Sequence, residues 1–195
     1  MKALQDCKKI TVLGIPGSGK THLSTILGEK LDLPVFHMDM KFRGITGHGK
    51  LEDRIPIILE GIKKEVEKPK WIIDGNYPSH LEVLRMRLEK ADLVLYLNLP
   101  FDFCIENIRN RGYQNIEAKN GLDTPESVEE LVMQIKTKYG QANENIKQHI
   151  QKYANNKHIE FNSRDEVDKF ILLTKSHAPR PLPSQPPPHE THPEH

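Results

Sequence analysis

The chain lacks the features that mark membrane, secreted, zinc-binding and nucleic-acid-binding proteins. Its only two cysteines, Cys7 and Cys104, lie far apart and outside any Cys-x-x-Cys spacing, so neither a zinc site nor a disulfide framework is expected. No run of about 18 apolar residues is present, and the N-terminal residues lack the apolar segment of a signal peptide. Lys and Arg number 28 against 27 Asp and Glu, a net charge of +1 without a basic stripe. These absences predict a cytoplasmic protein that binds no membrane and does not bind nucleic acid directly.

The composition changes near residue 175. Residues 176–195 read SHAPRPLPSQPPPHETHPEH and hold seven of the 14 prolines and four of the ten histidines. A segment with so few core-forming residues is expected to be disordered, with polyproline II character. A PxxP ligand at residues 183–186, or a metal-binding histidine tail, is the alternative. The sequence therefore predicts one folded domain over residues 1–175 and a disordered Pro/His-rich tail over residues 176–195.

Short apolar runs alternate with longer segments of helical period over residues 8–175. The apolar runs predict strands at 9–14, 34–38, 70–75, 92–99 and 157–162. The periodic segments predict helices at 20–31, 51–68, 79–90, 101–112, 124–154 and 164–175. Pro56 is either an early kink or the true start of the second of these helices. Five strands separated by helices indicate an α/β protein with a doubly wound parallel sheet.

The stretch GIPGSGKT follows the first predicted strand and opens the first predicted helix. It matches the phosphate-binding pattern G-x-x-x-x-G-K-[ST] at every position; a glycine-rich turn without a ligand is the weaker alternative. The glycines let backbone N–H groups approach phosphate oxygens, and the helix N-terminus favours anions. We expect Lys20 to contact the β- and γ-phosphates of ATP and Thr21 to coordinate Mg²⁺. The segment, called the cradle below, comprises Gly14, Ile15, Pro16, Gly17, Ser18, Gly19, Lys20 and Thr21.

A phosphate-binding cradle does not name a reaction, because GTPases, motor ATPases and small-molecule kinases all use one. Asp74 ends the third predicted strand, where a carboxylate is placed to hold Mg²⁺ directly or through water. Its alternative role is a turn or capping aspartate before Gly75. The guanine-binding pattern N-K-x-D of GTPases does not occur in the chain.

Two pairs of arginines lie near predicted helix ends. Arg109 and Arg111 could reach a transferring phosphoryl group, a role worth about 10³–10⁵ in rate. Alternatively, they are solvated cations that favour a helix C-terminus. Arg85 and Arg87 form a similar but less convincing pair.

Asp39 follows the second predicted strand and could accept a proton from an acceptor hydroxyl or help to position Mg²⁺. His37, two residues earlier, is interpreted as a structural residue, and Arg43 could bind an anionic acceptor. The glycine-rich residues 43–50 indicate either a mobile loop over the acceptor site or an inert linker.

In order and spacing, six segments together resemble the DNA topology modulation (FlaR-related) proteins, an adenylate-kinase-like branch of the P-loop kinases. They are GIPGSGKTHLS, LDLPVFHMD, WIIDGNY, RLEKADLVLYLNLP, IRNR and NSRDEVDKFI. The resemblance runs over most of residues 8–173. It implies the P-loop nucleoside triphosphate hydrolase fold, with a five-stranded sheet in the order 2-3-1-4-5, and an acceptor bound toward Asp39.

The same resemblance implies roles for individual residues. Asp74 would match the acidic residue of the adenylate kinase Asp-Gly-aromatic-Pro motif, and Arg109 and Arg111 would match the lid arginines. Ser163 and Arg164 fall in the loop that lies near the ATP base. Residues 74–79 read Asp-Gly-Asn-Tyr-Pro-Ser, without the arginine that follows in adenylate kinases, and this departure counts against AMP as the acceptor.

The leading hypothesis is an ATP- and Mg²⁺-dependent phosphotransferase that acts on a small molecule, such as a nucleoside or nucleotide. Lys20, Asp39, Arg109 and Arg111 are the predicted catalytic residues, and Thr21 and Asp74 the predicted metal ligands. Catalysis would rest on positioning and charge stabilisation. The alternatives are an ATP-binding regulator associated with DNA topology, and a slow ATPase without a dedicated acceptor.

Overall fold

The computed structural model describes residues 3–43, 51–76, 80–111 and 125–175. Residues 44–50 of the predicted loop, residues 112–124, which include the predicted start of the helix at 124, and the tail over 176–195 lie outside the described residues. Within the described parts of the chain, no helix is both long and apolar enough to span a bilayer.

Five parallel strands form one sheet in the order β2-β3-β1-β4-β5, which confirms the predicted fold class. The strands are Lys9–Gly14 (β1), Val35–His37 (β2), Trp71–Asp74 (β3), Leu93–Leu97 (β4) and His158–Phe161 (β5). The helices are Lys20–Leu31 (α1), Met38–Arg43 (α2), Leu51–Glu67 (α3), Leu81–Lys90 (α4), Phe101–Arg111 (α5), Pro125–Ala154 (α6) and Arg164–Leu173 (α7). A short 3₁₀ turn over Leu4–Asp6 precedes β1.

Two local expectations need correction. The second strand ends at His37, and α2 begins at Met38, so Asp39 lies in the first turn of a short helix and not at a strand end. Helix α3 begins at Leu51 and continues through Pro56, which is therefore not its start. Pro56 is the sixth residue of α3, past the first four positions whose N–H groups lack a partner within a helix, so α3 forgoes one internal N–H to carbonyl bond there.

Alternating strand residues bury themselves in two cores on opposite faces of the sheet. In β4, Val94 and Tyr96 join the core beneath α3, α4 and α6, whereas Leu93, Leu95 and Leu97 join the core beneath α1 and α7. Period-two alternation with both sets buried is what a parallel sheet covered by helices requires. The sheet is thereby fixed from both sides, and so is the carboxyl edge of β1, from which the cradle begins.

Helix α2 is anchored on α3 through an aromatic contact. The Phe42 ring, which is 5% exposed, lies over Gly61 of α3, where an added Cβ would come within 2.7 Å of the ring. The same ring packs edge-on against Phe36 of β2, with centroids 5.8 Å apart. These contacts set the position of the helix that carries Asp39.

Candidate functional site

The cradle joins the central strand β1 to α1 and depends on glycine at two positions with positive φ. Gly17 has φ +83°, and a Cβ there would overlap the backbone carbonyl of Cys104 in α5. Gly19 has φ +90° and is the N-cap of α1. L-residues disfavour such backbone angles, so these positions favour glycine. Within the loop, Ser18 N donates a hydrogen bond to the Ile15 carbonyl at 3.2 Å and closes a turn.

Lys20 is the buried cation of the cradle. Its side chain is 8% exposed, and Nζ donates to the Ile15 carbonyl at 3.0 Å. Burial lowers the pKa of Lys20 below its usual 10.5; the carboxylates of Asp39 and Asp74 oppose that shift, and the guanidinium of Arg111 adds to it. The fold thus brings three of the predicted charged residues, Asp39, Asp74 and Arg111, within electrostatic range of the Lys20 ammonium group.

Asp74 ends β3 with 2% of its surface exposed. His37 lies across from it in the β2–β3 register, and its Nδ1 is 2.7 Å from Asp74 Oδ2. A histidine bonded in this way fixes the orientation of a carboxylate beside a candidate ion site. His37, interpreted from the sequence as structural, therefore supports a predicted site residue.

The two arginines of α5 take different positions. Arg109 makes a two-pronged ion pair with Glu129 of α6, with Nε–Oε1 at 2.7 Å and Nη2–Oε2 at 2.8 Å, both side chains being about half exposed. Arg111 acts electrostatically on Lys20. Arg109 in this arrangement joins α5 to α6, and Arg111 is the member of the pair whose charge reaches the cradle.

Ser163 and Arg164 begin α7 beside the cradle. Ser163 Oγ accepts a hydrogen bond from Glu166 N at 3.3 Å and caps the helix. Arg164 pairs with Asp168, Nη2 to Oδ1 at 2.9 Å, and its Nη1 lies 3.6 Å from where a Cβ on Gly19 would be. Arg164 therefore lies beside the cradle, and Ser163 caps the helix that carries it.

Asn76 is a site residue that sequence reasoning missed. Its side-chain amide pairs reciprocally with the backbone of Gly14: Gly14 N donates to Oδ1 at 3.2 Å, and Nδ2 donates to the Gly14 carbonyl. Asn76 thereby ties the segment after β3 to the first residue of the cradle. The sequence showed it only as a departure from the adenylate kinase motif.

Arg87 holds that segment in place from α4. It is fully buried, and it donates from Nη1 to the Gly75 carbonyl at 2.8 Å and from Nη2 to the Asn76 carbonyl at 2.9 Å. Its partner in the sequence pattern, Arg85, pairs at the surface with Glu82. Arg87 is thus a positioning residue for the cradle, acting through Asn76. The two arginines look alike in the sequence, and the structure separates them because Arg87 is buried and Arg85 lies at the surface.

A cavity of about 250 Å³ opens beside the cradle and is covered by α6; it is called the α6 cavity below. The residues that bound it on the cradle side are Ile15, Pro16, Lys20, Asp39 and Asn76. Lys20 therefore lies both in the cradle and in the wall of this cavity.

The residues of the cradle suit nucleotide phosphates and Mg²⁺. Ser18 Oγ is buried and has no hydrogen-bond partner within the described residues, which leaves a donor beside Lys20. No group of three or more His, Cys, Asp or Glu side chains among those residues could hold a metal alone. Mg²⁺ at phosphate sites needs one or two protein ligands, because phosphate oxygens and waters complete its shell. Thr21 and Asp74 would meet that requirement.

Two curated proteins resemble the chain in sequence. An adenylate kinase of Encephalitozoon cuniculi is 29% identical over 130 residues, which span 58% of this chain and 72% of the relative. A putative adenylate kinase of Thermococcus kodakarensis is 28% identical over 120 residues, which span 56% of this chain and 63% of that relative, just under two thirds. No protein-family model matches the chain.

Solved structures agree with the fold. The shikimate kinase of Aquifex aeolicus superposes with a TM-score of 0.55 at 17% identity, covering 85% of this chain and 94% of that one. At 17% identity, this likeness shows the fold and carries no conclusion about function. The sequence relatives support a P-loop kinase enzyme on this fold, and they leave the acceptor unspecified.

Proposed function

We propose that the protein is an ATP- and Mg²⁺-dependent phosphotransferase that acts on a small molecule. The observation that carries the proposal is the shared position of Lys20, at once in the phosphate cradle and in the wall of the α6 cavity. A group that contacts both donor and acceptor can hold the two in line, and positioning of this kind is the main source of rate in phosphoryl transfer.

The chain's own residues would divide the work as follows. The cradle N–H groups, Ser18 Oγ and Lys20 would hold the β- and γ-phosphates, and Thr21 and Asp74 would hold Mg²⁺, whose charge offsets that of the phosphates. Arg111 would stabilise charge on the transferred group. Asp39, on the cavity side of Lys20, would orient the acceptor. These roles extend the kinase assignment to named residues.

The resemblance to the topology modulation proteins suggests a second hypothesis, in which the protein is a regulator and bound ATP controls its interaction with a partner. Lys20 and its buried surroundings would serve that reading equally well. The α6 cavity favours phosphotransfer, because a regulator has no need of a second compartment beside the reacting phosphate.

The test is Mg²⁺-ATP-dependent ADP release, with and without a panel of nucleosides, nucleoside monophosphates and hydroxylated metabolites. Stimulation by one acceptor class is expected, together with a loss on the order of 10² or more in Lys20→Ala, as for removal of a preorganised charge-stabilising donor. Lys169→Ala, an exposed lysine of α7, is the matched control. ATP binding without stimulated turnover would favour the regulator, and Lys20-dependent phosphate release that no acceptor accelerates would favour the slow ATPase.

A further inference from the structure

One face of α5 lies against the cradle at Gly17. A Cβ on Gly17 would overlap the Cys104 carbonyl and would lie 3.0 Å from Ile108 Cγ1. Between those two residues in the chain, Asn107 donates from Nδ2 to the Gly17 carbonyl at 3.0 Å. Residues three and four apart on a helix are neighbours on its surface, so Cys104, Asn107 and Ile108 form a single contact face. This part of α5 is therefore fitted directly to the cradle.

The amide of Asn107 completes the hold on one peptide unit of the cradle. The Gly17 carbonyl and the Ser18 N–H belong to the same planar unit. Ser18 N donates to the Ile15 carbonyl at 3.2 Å, and Asn107 binds the carbonyl at the opposite end of the unit. The Asn107 bond is partly buried, where a carbonyl left without a donor is costly. The peptide unit therefore cannot rotate without losing a hydrogen bond at each end.

Arg111 follows Asn107 by about one turn on the same face of α5. Positions four apart are neighbours on a helix surface, so a contact that fixes α5 at Asn107 also restricts where the Arg111 side chain begins. Besides burial, the guanidinium of Arg111 lowers the pKa of Lys20, so its charge acts on the cradle. Asn107 thus binds the loop on the same side of α5 that directs this charge toward Lys20.

We propose that Asn107 is a positioning residue, whose bond to Gly17 seats α5 on the cradle and thereby sets the place of the Arg111 guanidinium at the transferred phosphoryl group. The inference rests on the proposed phosphotransferase function and adds to it a residue that acts through another. An arginine that stabilises the charge of a transferred phosphoryl group contributes about 10³–10⁵ in rate, and only when it is correctly placed. A small displacement of α5 therefore slows the chemical step more than it weakens ATP binding.

Replacement of Asn107 tests this division between rate and binding. Asn107→Leu keeps a side chain of similar size and removes the donor. ADP formation by the full chain is measured with Mg²⁺-ATP and the acceptor that stimulates it, or without acceptor where none does. We expect kcat to fall about tenfold or more and the KM for ATP to stay within about threefold, because the lost interaction acts in the transition state.

Two further variants control for side-chain chemistry and for position. Asn107→Gln keeps an amide donor and should retain at least about a third of the unsubstituted kcat. Asn110→Leu replaces an exposed asparagine three residues later on α5 and should change neither kcat nor the KM for ATP. An equal loss of kcat in Asn107→Gln and Asn107→Leu would overturn the role of the amide donor.

A double-mutant cycle shows whether Asn107 acts through Arg111. Arg111→Met is made alone and together with Asn107→Leu, and all chains are assayed below the lowest Tm of the set. Once Arg111 is absent, replacement of Asn107 should cost less than about twofold in kcat, because coupled residues are not additive. Equal fold losses in both backgrounds would assign Asn107 to the cradle alone and overturn the inference. Asn107→Ala takes the place of Asn107→Leu in the cycle if the latter does not fold.

The outcomes separate this inference from the proposed function. An unchanged kcat in Asn107→Leu, or a raised KM for ATP with kcat unchanged, overturns the positioning role and leaves the phosphotransferase standing. ADP formation that no acceptor accelerates overturns the phosphotransferase, whereas a loss of about tenfold in that slow rate in Asn107→Leu still supports the positioning of Arg111. ATP binding without any ADP formation overturns both.

Discussion

Replacing Arg87 tests how the interior supports the cradle. Arg87→Met keeps an unbranched chain of similar length and removes the donors to the Gly75 and Asn76 carbonyls. Each buried carbonyl left without a partner costs about 1–3 kcal/mol, and the apolar burial that Met restores offsets part of the total. We expect a net loss of about 2–4 kcal/mol, a fall in Tm of roughly 4–16 °C for a chain of this size.

Arg85→Met is the matched control, two residues earlier on the same helix. Its ion pair with Glu82 is exposed, with side-chain accessibilities of 43% and 51%, and such pairs contribute at most about 1 kcal/mol. Tm is measured by calorimetry or circular dichroism, and ATP affinity by titration. Arg87→Met should also weaken ATP binding about tenfold, or roughly 1.4 kcal/mol, because Asn76 no longer holds Gly14. Equal Tm values for the two variants would refute the stabilising role, and a lower Tm with unchanged ATP affinity would refute the link to the cradle.

Three further predictions follow from buried or glycine positions. Gly17→Ala should lower the free energy of unfolding by about 1–3 kcal/mol through backbone strain alone, and it should also weaken ATP binding. Gly140→Ala, with nothing within 4 Å of the added Cβ, should raise the free energy of unfolding by about 0.5–1 kcal/mol. Equal urea midpoints for the two variants would contradict this prediction. The pKa of Lys20 is lower in the folded chain than in the unfolded chain, so burying its charged form costs stability at neutral pH. Lys20→Met removes this cost, so its gain in Tm should be greatest at neutral pH and vanish as the pH rises toward 10.5. A gain in Tm that grows with pH would contradict the prediction. Burial raises the pKa of the Cys104 thiol to about 11, and Cys7 is buried too, so thiol reagents should label either one only as fast as the fold opens, and rapid labelling of native protein would show otherwise.

The loop between β1 and α1 could be predicted from the sequence because its residues are contiguous and match one known pattern, while its phosphate-binding role stays a prediction. Periodicity also found the five strands, but their order came from a resemblance. The position of Asp39 was missed because β2 has only three residues, and the chain turns into α2 before the apolar run ends. Asn76 and Gly14 are separated by 62 positions, so no local pattern announces their bond.

The arginines show how spacing alone can mislead. Arg109 and Arg111 are two apart, which suggested a shared role, yet residues at i and i+2 of a helix do not face the same side. One side chain therefore meets Glu129, and the charge of the other acts on Lys20. Arg85 and Arg87 diverge for the same reason, one toward solvent and one toward the interior. Which arginine of each pair turns toward the interior depends on where its helix lies, and tertiary packing determines that position.

The Phe42 ring over Gly61 has a consequence for how such a chain can diversify. Position 61 touches neither the cradle nor the described wall of the cavity, but any larger residue there would push on the ring that anchors the helix bearing Asp39. On the proposed phosphotransferase function, acceptor preference would then change through a substitution remote from every residue that lines the cavity. Gly61→Ala should rank a common panel of acceptors differently from the unsubstituted chain, and an unchanged ranking would refute this.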